Sequence, residues 1–507
     1  MVLPDEQIVI VGAGCFGIST AYHLFQRGFT DVTVLDRSPT LPAPDAASND
    51  FNRIVRSSYS DRFYTKLARE AIRSWKKVEE WGDSYHESGV LVLGCAEEPV
   101  QVGSAPIARN SSTPNPSQSP TIPVPADEPG QIPTSRTTYT DQSYANDLEL
   151  GANLVRLESL EAIRGSAFPP GVRIGSSHVR GSLDNNVDGG TVSVNSGYLN
   201  HDGGWANAGK GLNLLTNRVV DLGGKLFPGC NVVDLVIGQR NEEEQPKIVG
   251  VKCADGAVFN AAVVIIATGS WTPSAFPGLE LNKCCLATGQ CIGMIQLTAS
   301  EAELYKACPV VLDFRSGFYI FPPNEENVVK MAIHSKGYTH TIGAVSTPRT
   351  VTSDPQGGLR IPKVALKALR NNLRELYPDL AGKPFISTRL CWYNDSPDGD
   401  WIIGPHPKYA GIFMATAGSG HAYKFLPVIG RLVADSIQAC MEPGLARKFA
   451  VDREHMHGDL SRAPSIAETR DGPEELNLDE LCTIEDLQGD SSIKVNIPEH
   501  FLIPDIR

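Results

Sequence analysis

The stretch QIVIVGAGCFGISTAYHLFQRGFTDVTVLD, residues 7–36, limits the possible folds of this chain more than any other. A short β-branched run enters Gly12, Gly14 and Gly17 in GxGxxG spacing, a helical pattern follows, and a second strand ends at Asp36, 19 residues beyond Gly17. That order is the βαβ dinucleotide fingerprint. Gly12 permits the tight turn, Gly14 lets the backbone approach a pyrophosphate, and Gly17 lets the helix pack closely on the strand. The helix N-terminus offers unpaired N–H groups and a positive dipole to phosphates, and Asp36 stands where ribose hydroxyls would donate to it.

The fingerprint alone does not separate NAD from FAD. A second apolar strand with a glycine turn, AAVVIIATGSWTP at residues 261–273, carries no second GxGxxG. One fingerprint favours one tightly held dinucleotide, FAD. The formal charge of −13, with no block of Lys and Arg, argues against nucleic acid and anionic membranes as partners. The 11 cysteines form no CxxC pair or regular framework, so reduced thiols are expected, and no paired metal-ligand spacing is present. The N-terminus reads as a strand and not as a signal peptide, no apolar run has the length of a membrane span, and the chain does not end in an SKL-type address. A cytoplasmic monomer is the expectation.

Six separated stretches, in chain order, carry a resemblance: IVGAGCFGISTAYHL, NDFNRIVRSSY, ATGSWTP, GFYIFPPNEENVVKMAIH, RLCWYNDSPDGDWIIGPHP and ATAGSGHAYKFLPVIG. Together they resemble the sarcosine oxidase and fructosyl amino acid oxidase branch of the D-amino-acid-oxidase-type flavoproteins, over residues 7–440 without the Ser/Pro/Thr-rich segment 101–140. The resemblance implies roles residue by residue. Cys391 falls where these oxidases tether FAD through an 8α-S-cysteinyl bond, and Arg389 beside it would favour the thiolate. By itself, a cysteine beside Trp392 would be read as a small buried hydrophobe. Lys330 matches the lysine that activates O2, where a fixed cation stabilises superoxide; a strand lysine is otherwise usually exposed. Arg53 and Arg56 match the paired arginines, the second gripping a substrate carboxylate with a bidentate fork. Lys424 matches the lysine that pairs with the same carboxylate, and Gly418 and Gly420 open the turn that faces the flavin pyrimidine.

His334 falls on the sarcosine oxidase side, whereas Asn49, Asp50 and Trp392 resemble the deglycating side. As an alternative, His334 is an ordinary strand histidine satisfied by backbone. His421 reads as a packing residue. Catalytic roles are therefore expected for Lys330, Arg53 and His334, and substrate contacts for Arg56, Lys424, Asn49 and Tyr393.

The expected fold is α/β with mixed α+β character: a Rossmann-like FAD-binding domain from residues 1–90, 196–273 and 391–440, and a substrate domain on a mixed β-sheet from 91–195 and 274–390. Residues 101–140 are read as a mobile insertion, because they have too few apolar side chains to offset ordering. Residues 441–507 are read as an acidic tail lying on the surface or partly disordered. The implied reaction is oxidation of the C–N bond of an N-alkyl or N-methyl amino acid with O2, giving an iminium and H2O2, the iminium being hydrolysed or captured by an internal nucleophile. Asn49, Asp50 and Trp392 are taken to leave room for a group larger than sarcosine. The alternatives are a fructosyl amino acid oxidase, a pipecolate or saccharopine type of oxidase, an NAD(P)-dependent dehydrogenase, and a flavin-binding protein without turnover.

Overall fold

The structure, a computed structural model, describes residues 2–95, 138–175, 191–238, 245–350, 360–455, 458, 459, 461, 462 and 472–489. The fingerprint forms β1 (Ile8–Val11), α1 (Cys15–Gln26) and β2 (Val32–Asp36). These lie in a six-stranded sheet ordered Ile402–Pro405, Ile412–Thr416, Val263–Ile266, β1, β2, Lys225–Pro228, parallel except for the pair at the 402–405 edge. Both faces are covered, which is why β1 is apolar without interruption. Ile8 and Ile10 pack with Ile18, Ala21 and Leu24 of α1 and with the helix Ile429–Ile437. Val9 and Val11 pack on the opposite face, against the antiparallel strands Val232–Ile237 and Ile248–Cys253, where a disulfide links Cys253 to Cys230, two residues before the first of them. That bond departs from the expected set of reduced thiols; a separation of 23 residues gives no sequence signal.

A second, ten-stranded mixed sheet is built around two long antiparallel strands, Leu286–Gln296 and Phe385–Asp395. On the other side of Leu286–Gln296 runs Val328–Ile333. The period of two then decides which side chains reach the site. Cys391 and Tyr393 share one face with Ile292, Tyr319, Phe321 and Ala332. Trp392 points to the other, into the cluster beneath the helix Lys363–Leu376, and its Nε1 donates to Arg349 O at 2.7 Å.

Three expected boundaries move. Phe385–Asp395 is one continuous strand of the second sheet, so residue 391 is not a junction between sheets. The strand Gly197–Asn200 also belongs to the second sheet rather than to the dinucleotide-binding one. Residues 101–137 lie outside the described residues, and the expected insertion ends early because Thr138 caps a helix, Tyr139–Glu149, through a capping box with Asp141. In the tail, Glu474–Glu475 adds a strand beside Tyr338–Thr339, and Leu476, Leu481, Cys482 and Leu487 are buried, so this part is built into the fold. Among the described residues no helix is long and apolar enough to cross a membrane.

Candidate active site

At the dinucleotide end, Gly12 has φ +110°, and a Cβ there would stand 2.4 Å from the Ala267 carbonyl oxygen. The turn and the strand Val263–Ile266 therefore touch through backbone. The N-cap of α1 is Gly14, without a side-chain cap, and its first turn holds no acid. A Cβ on Gly17 would strike the Gly12 carbonyl oxygen at 1.9 Å, so helix and turn close directly on each other. Asp36 Oδ2 accepts from Ala13 N at 2.8 Å and Oδ1 from Ser38 N at 2.8 Å, tying the two ends of the βαβ unit together.

At the strand Arg53–Val55, which pairs with Gly204–Ala206 in a small three-stranded sheet, four sequence-identified groups come together. Asp50 Oδ2 lies 2.8 Å from Lys330 Nζ and 2.6 Å from Arg53 Nη1. Lys330 Nζ also donates to Asn52 O at 2.7 Å. Arg53 Nη2 donates to Cys391 Sγ at 3.1 Å. Burial pushes the Asp50 carboxyl up, but the charges of Arg53 and Lys330 outweigh it and hold the group well below the usual carboxylate range. Burial pushes the Lys330 ammonium down, against Asp50, to about 7. The cation at Cys391 is thus Arg53, and Arg389 takes a different course. Its guanidinium donates to Asn49 O, Pro44 O and Ala46 O, pinning the 44–49 loop.

Beside this cluster is an inner cavity of about 60 Å3 lined by Arg53, Arg56, His334, Tyr393, Gly420 and Lys424, with Leu312, Phe314, Tyr319, Phe321 and Tyr423 as its apolar and aromatic wall. The Arg56 guanidinium lies 4.5 Å over the Tyr59 ring and 4.9 Å over the Phe314 ring, and its Nη1 donates to Ser58 O. Lys424 is buried, and burial followed by the charge of Arg56 pushes its ammonium well below the ordinary lysine value. Neither Arg56 nor Lys424 forms an ion pair with a described residue. His334 is pushed well below its ordinary value by burial and by Arg462, and so is neutral. Gly420 has φ +71°, and a Cβ there would lie 2.4 Å from the Tyr393 ring, which closes the turn 418–424 onto the strand.

An outer cavity of about 690 Å3 adjoins the inner one and shares Arg56 and His421 with it; polar side chains including Asp61, Asp398, Asp400, Lys448 and Asp459 line it.

Two sequence-identified positions do not reach either cavity. Asn49 Nδ2 donates to Pro42 O and Ala43 O, both at 3.2 Å, so its amide is spent on its own loop. Trp392 faces the opposite side of the sheet. Neither sets the room available to a substrate, contrary to the expectation. Several contributors went unidentified in the sequence. Tyr59 ends the stretch NDFNRIVRSSY without a family role, His421 reads in sequence as a packing residue, and Phe314 has no local signal. Asp459, Ser461 and Arg462 come from the tail: Arg462 pairs with Asp395 and Asp459 and lies 5.8 Å over the Tyr393 ring. No local pattern marks a tail arginine as buried.

The donor set fits FAD. Asn52 is fully buried, and its amide nitrogen and oxygen both lack a partner among the described residues, next to Arg53 and Lys330. Buried amides of that kind call for a ligand with both donors and acceptors. Of the four basic groups Arg53, Arg56, Lys330 and Lys424, only Arg53 and Lys330 are ion-paired among the described residues, both to Asp50. A family profile described as "FAD dependent oxidoreductase" matches residues 7–436. The chain is 29% identical over 445 residues to L-saccharopine oxidase of Schizosaccharomyces pombe, covering 85% of this chain and 90% of that one. It is 27% identical over 484 residues to amino acid oxidase imqH of Aspergillus flavus, covering 85% and 92%. The crystal structure of the deglycating fructosamine oxidase Amadoriase II from Aspergillus fumigatus matches with a TM-score of 0.69 and 25% identity, over 94% of this chain and 96% of that one.

Proposed function

The chain belongs to the FAD dependent oxidoreductase family and is an FAD-dependent amino-acid or amine oxidase of the saccharopine, sarcosine and fructosyl amino acid oxidase type; from that premise we propose that it oxidises N-alkyl α-amino acids, above all N-methyl amino acids with an aromatic side chain. The observation that carries this reading is the pair of buried cations, Arg56 and Lys424, facing one aromatic-walled cavity without an ion-paired carboxylate. Buried charges left without a counter-charge are costly, and a substrate carboxylate supplies one. The guanidinium of Arg56 lies over the Tyr59 and Phe314 rings and donates through Nη1 to Ser58 O, which leaves its remaining N–H groups for that carboxylate. The aromatic wall receives the substrate side chain.

Gly12, Gly14, Gly17 and Asp36 would hold the dinucleotide end of FAD, Gly418 and Gly420 would lie against its ring, and Cys391 would tether it covalently. When bound, FAD accepts the electrons of the C–H bond beside the substrate nitrogen and passes them to O2. Arg53 orients the Cys391 thiol through the 3.1 Å contact. Lys330 Nζ holds a positive charge where negative charge grows on oxygen. His334, kept neutral by burial and by the charge of Arg462, would accept a hydrogen bond from the substrate amine at a ring nitrogen. The iminium product is hydrolysed or captured by a nucleophile of its own side chain. The six-stranded sheet with its helices forms the FAD-binding domain, and the ten-stranded sheet the substrate domain. Turnover of fructosyl amino acids is a second reading, favoured by the polar outer cavity of about 690 Å3, which has room for a sugar. A peroxide-coupled panel of sarcosine, N-methyl aromatic amino acids, pipecolate and fructosyl-valine separates the two. Preferential turnover of fructosyl-valine overturns the first.

A further inference from the structure

With a carboxylate bound to supply its counter-charge, Lys424 ends in a flexible ammonium with three equivalent donors, so something must decide where they point. Its Nζ donates to Tyr59 Oη at 2.8 Å and to His421 O at 2.8 Å. Tyr59 Oη in turn lies 3.1 Å from His421 Nδ1, and His421 Nε2 lies 2.9 Å from Gly399 O. A carbonyl oxygen can only accept, so Nε2 carries the proton. Burial and the charge of Lys424 push His421 down to about 3, so the ring is neutral and Nδ1 is bare. Tyr59 must then donate to Nδ1 and turn its lone pairs towards Lys424. One backbone carbonyl thereby fixes the direction of every bond in the series Lys424, Tyr59, His421, Gly399. The imidazole cannot turn over freely, because it stacks on fully buried Trp401 at 5.4 Å and meets Tyr64 edge-on at 5.0 Å.

We propose that Tyr59 and His421 are positioning residues: they occupy two of the three Lys424 N–H groups and aim the third into the inner cavity, at the substrate carboxylate. The inference rests on the reading of Lys424 as a carboxylate partner. Tyr59→Phe removes only the oxygen, leaving Lys424 without one acceptor and free to swing. The expected result is a rise in KM for N-methylphenylalanine of about tenfold or more, with kcat changed less than about threefold, the size of one charge-assisted hydrogen bond. His421→Leu should behave likewise. His421→Gln, whose amide can donate to Gly399 O and accept from Tyr59, should restore most of the affinity.

Hydrocinnamate, which has the carboxylate and no amine, gives a readout without turnover: its Kd, followed by the change it makes in the flavin absorbance of the holoenzyme, should rise in parallel with KM. Lys424→Met separates the two layers. If it leaves the hydrocinnamate Kd and the KM unchanged, the carboxylate reading fails. If it raises both while Tyr59→Phe and His421→Leu raise neither, or lower kcat alone, the positioning inference is overturned. A His421→Gln variant as weak in binding as His421→Leu also overturns it.

Discussion

Replacing Asp50 by asparagine removes the one negative charge between two buried cations. Its carboxylate lies 2.6 Å from Arg53 Nη1 and 2.8 Å from Lys330 Nζ, with a side-chain exposure of 2%. Taking one partner out of a buried pair costs about 3–5 kcal/mol, because the remaining charge has neither water nor a counter-ion. Lys330 escapes part of this penalty. Already held down to about 7, it moves lower once Asp50 is gone and gives up its proton at neutral pH. Arg53 has no such escape, since a guanidinium does not deprotonate in a protein. Lys330→Met acts differently. It leaves Asp50 and Arg53 as a balanced pair and loses mainly the donor to Asn52 O, a cost of about 1–2 kcal/mol. Urea unfolding at pH 7, followed by tryptophan fluorescence, should therefore rank wild type above Lys330→Met above Asp50→Asn. An Asp50→Asn variant within about 1 kcal/mol of wild type, or less destabilised than Lys330→Met, refutes the reasoning.

Cys391→Ser should release its FAD on acid denaturation while wild type retains the flavin in the protein pellet; free release from wild type removes the tether assignment. Lys330→Met should slow reaction of the reduced enzyme with O2 by ~10²-fold or more, with anaerobic reduction little changed; equal losses in both half-reactions remove its role. Asp147, fully buried on the helix Tyr139–Glu149 and accepting from Asn200 Nδ2 at 3.1 Å, is pushed up to about 6 by burial. Below the unfolded value near ~4 the group is protonated in both states; as pH rises through about 6 the unfolded chain ionises more readily, and stability of up to roughly 3 kcal/mol is lost. Asp147→Asn should therefore gain on wild type between pH 4.5 and 7.5 in urea unfolding, and a gap that does not change with pH counts against the assignment.

Local signals carried the dinucleotide end of the molecule. Gly12, Gly17 and Asp36 act within one βαβ unit, where spacing along the chain is also distance in space. The chemistry-bearing residues were legible through family motifs: Arg53, Lys330 and Cys391, although hundreds of residues apart, each lie in a recognisable stretch. What those motifs could not show was which partner each group takes. Arg389 lies two residues from Cys391 in sequence, yet Arg53 reaches the sulfur, while the Arg389 guanidinium is spent on the Asn49 carbonyl. The motif suggests that Trp392 leaves room for a larger substrate group, but strand alternation sends it to the opposite face. Arg462 stayed invisible because a tail residue is recruited by tertiary contacts with Asp395 and Asp459, which no local pattern encodes.

N-Methylphenylalanine and N-methylphenethylamine differ only by a carboxylate, and each can be mixed anaerobically with the oxidised holoenzyme while the flavin absorbance is followed. If Arg56 and Lys424 hold the substrate through that group, the amino acid should bleach the flavin with a kred/Kd about 10²-fold or more above that of the amine. Equal bleaching by both compounds, or bleaching by fructosyl-valine with none by N-methylphenylalanine, contradicts the account.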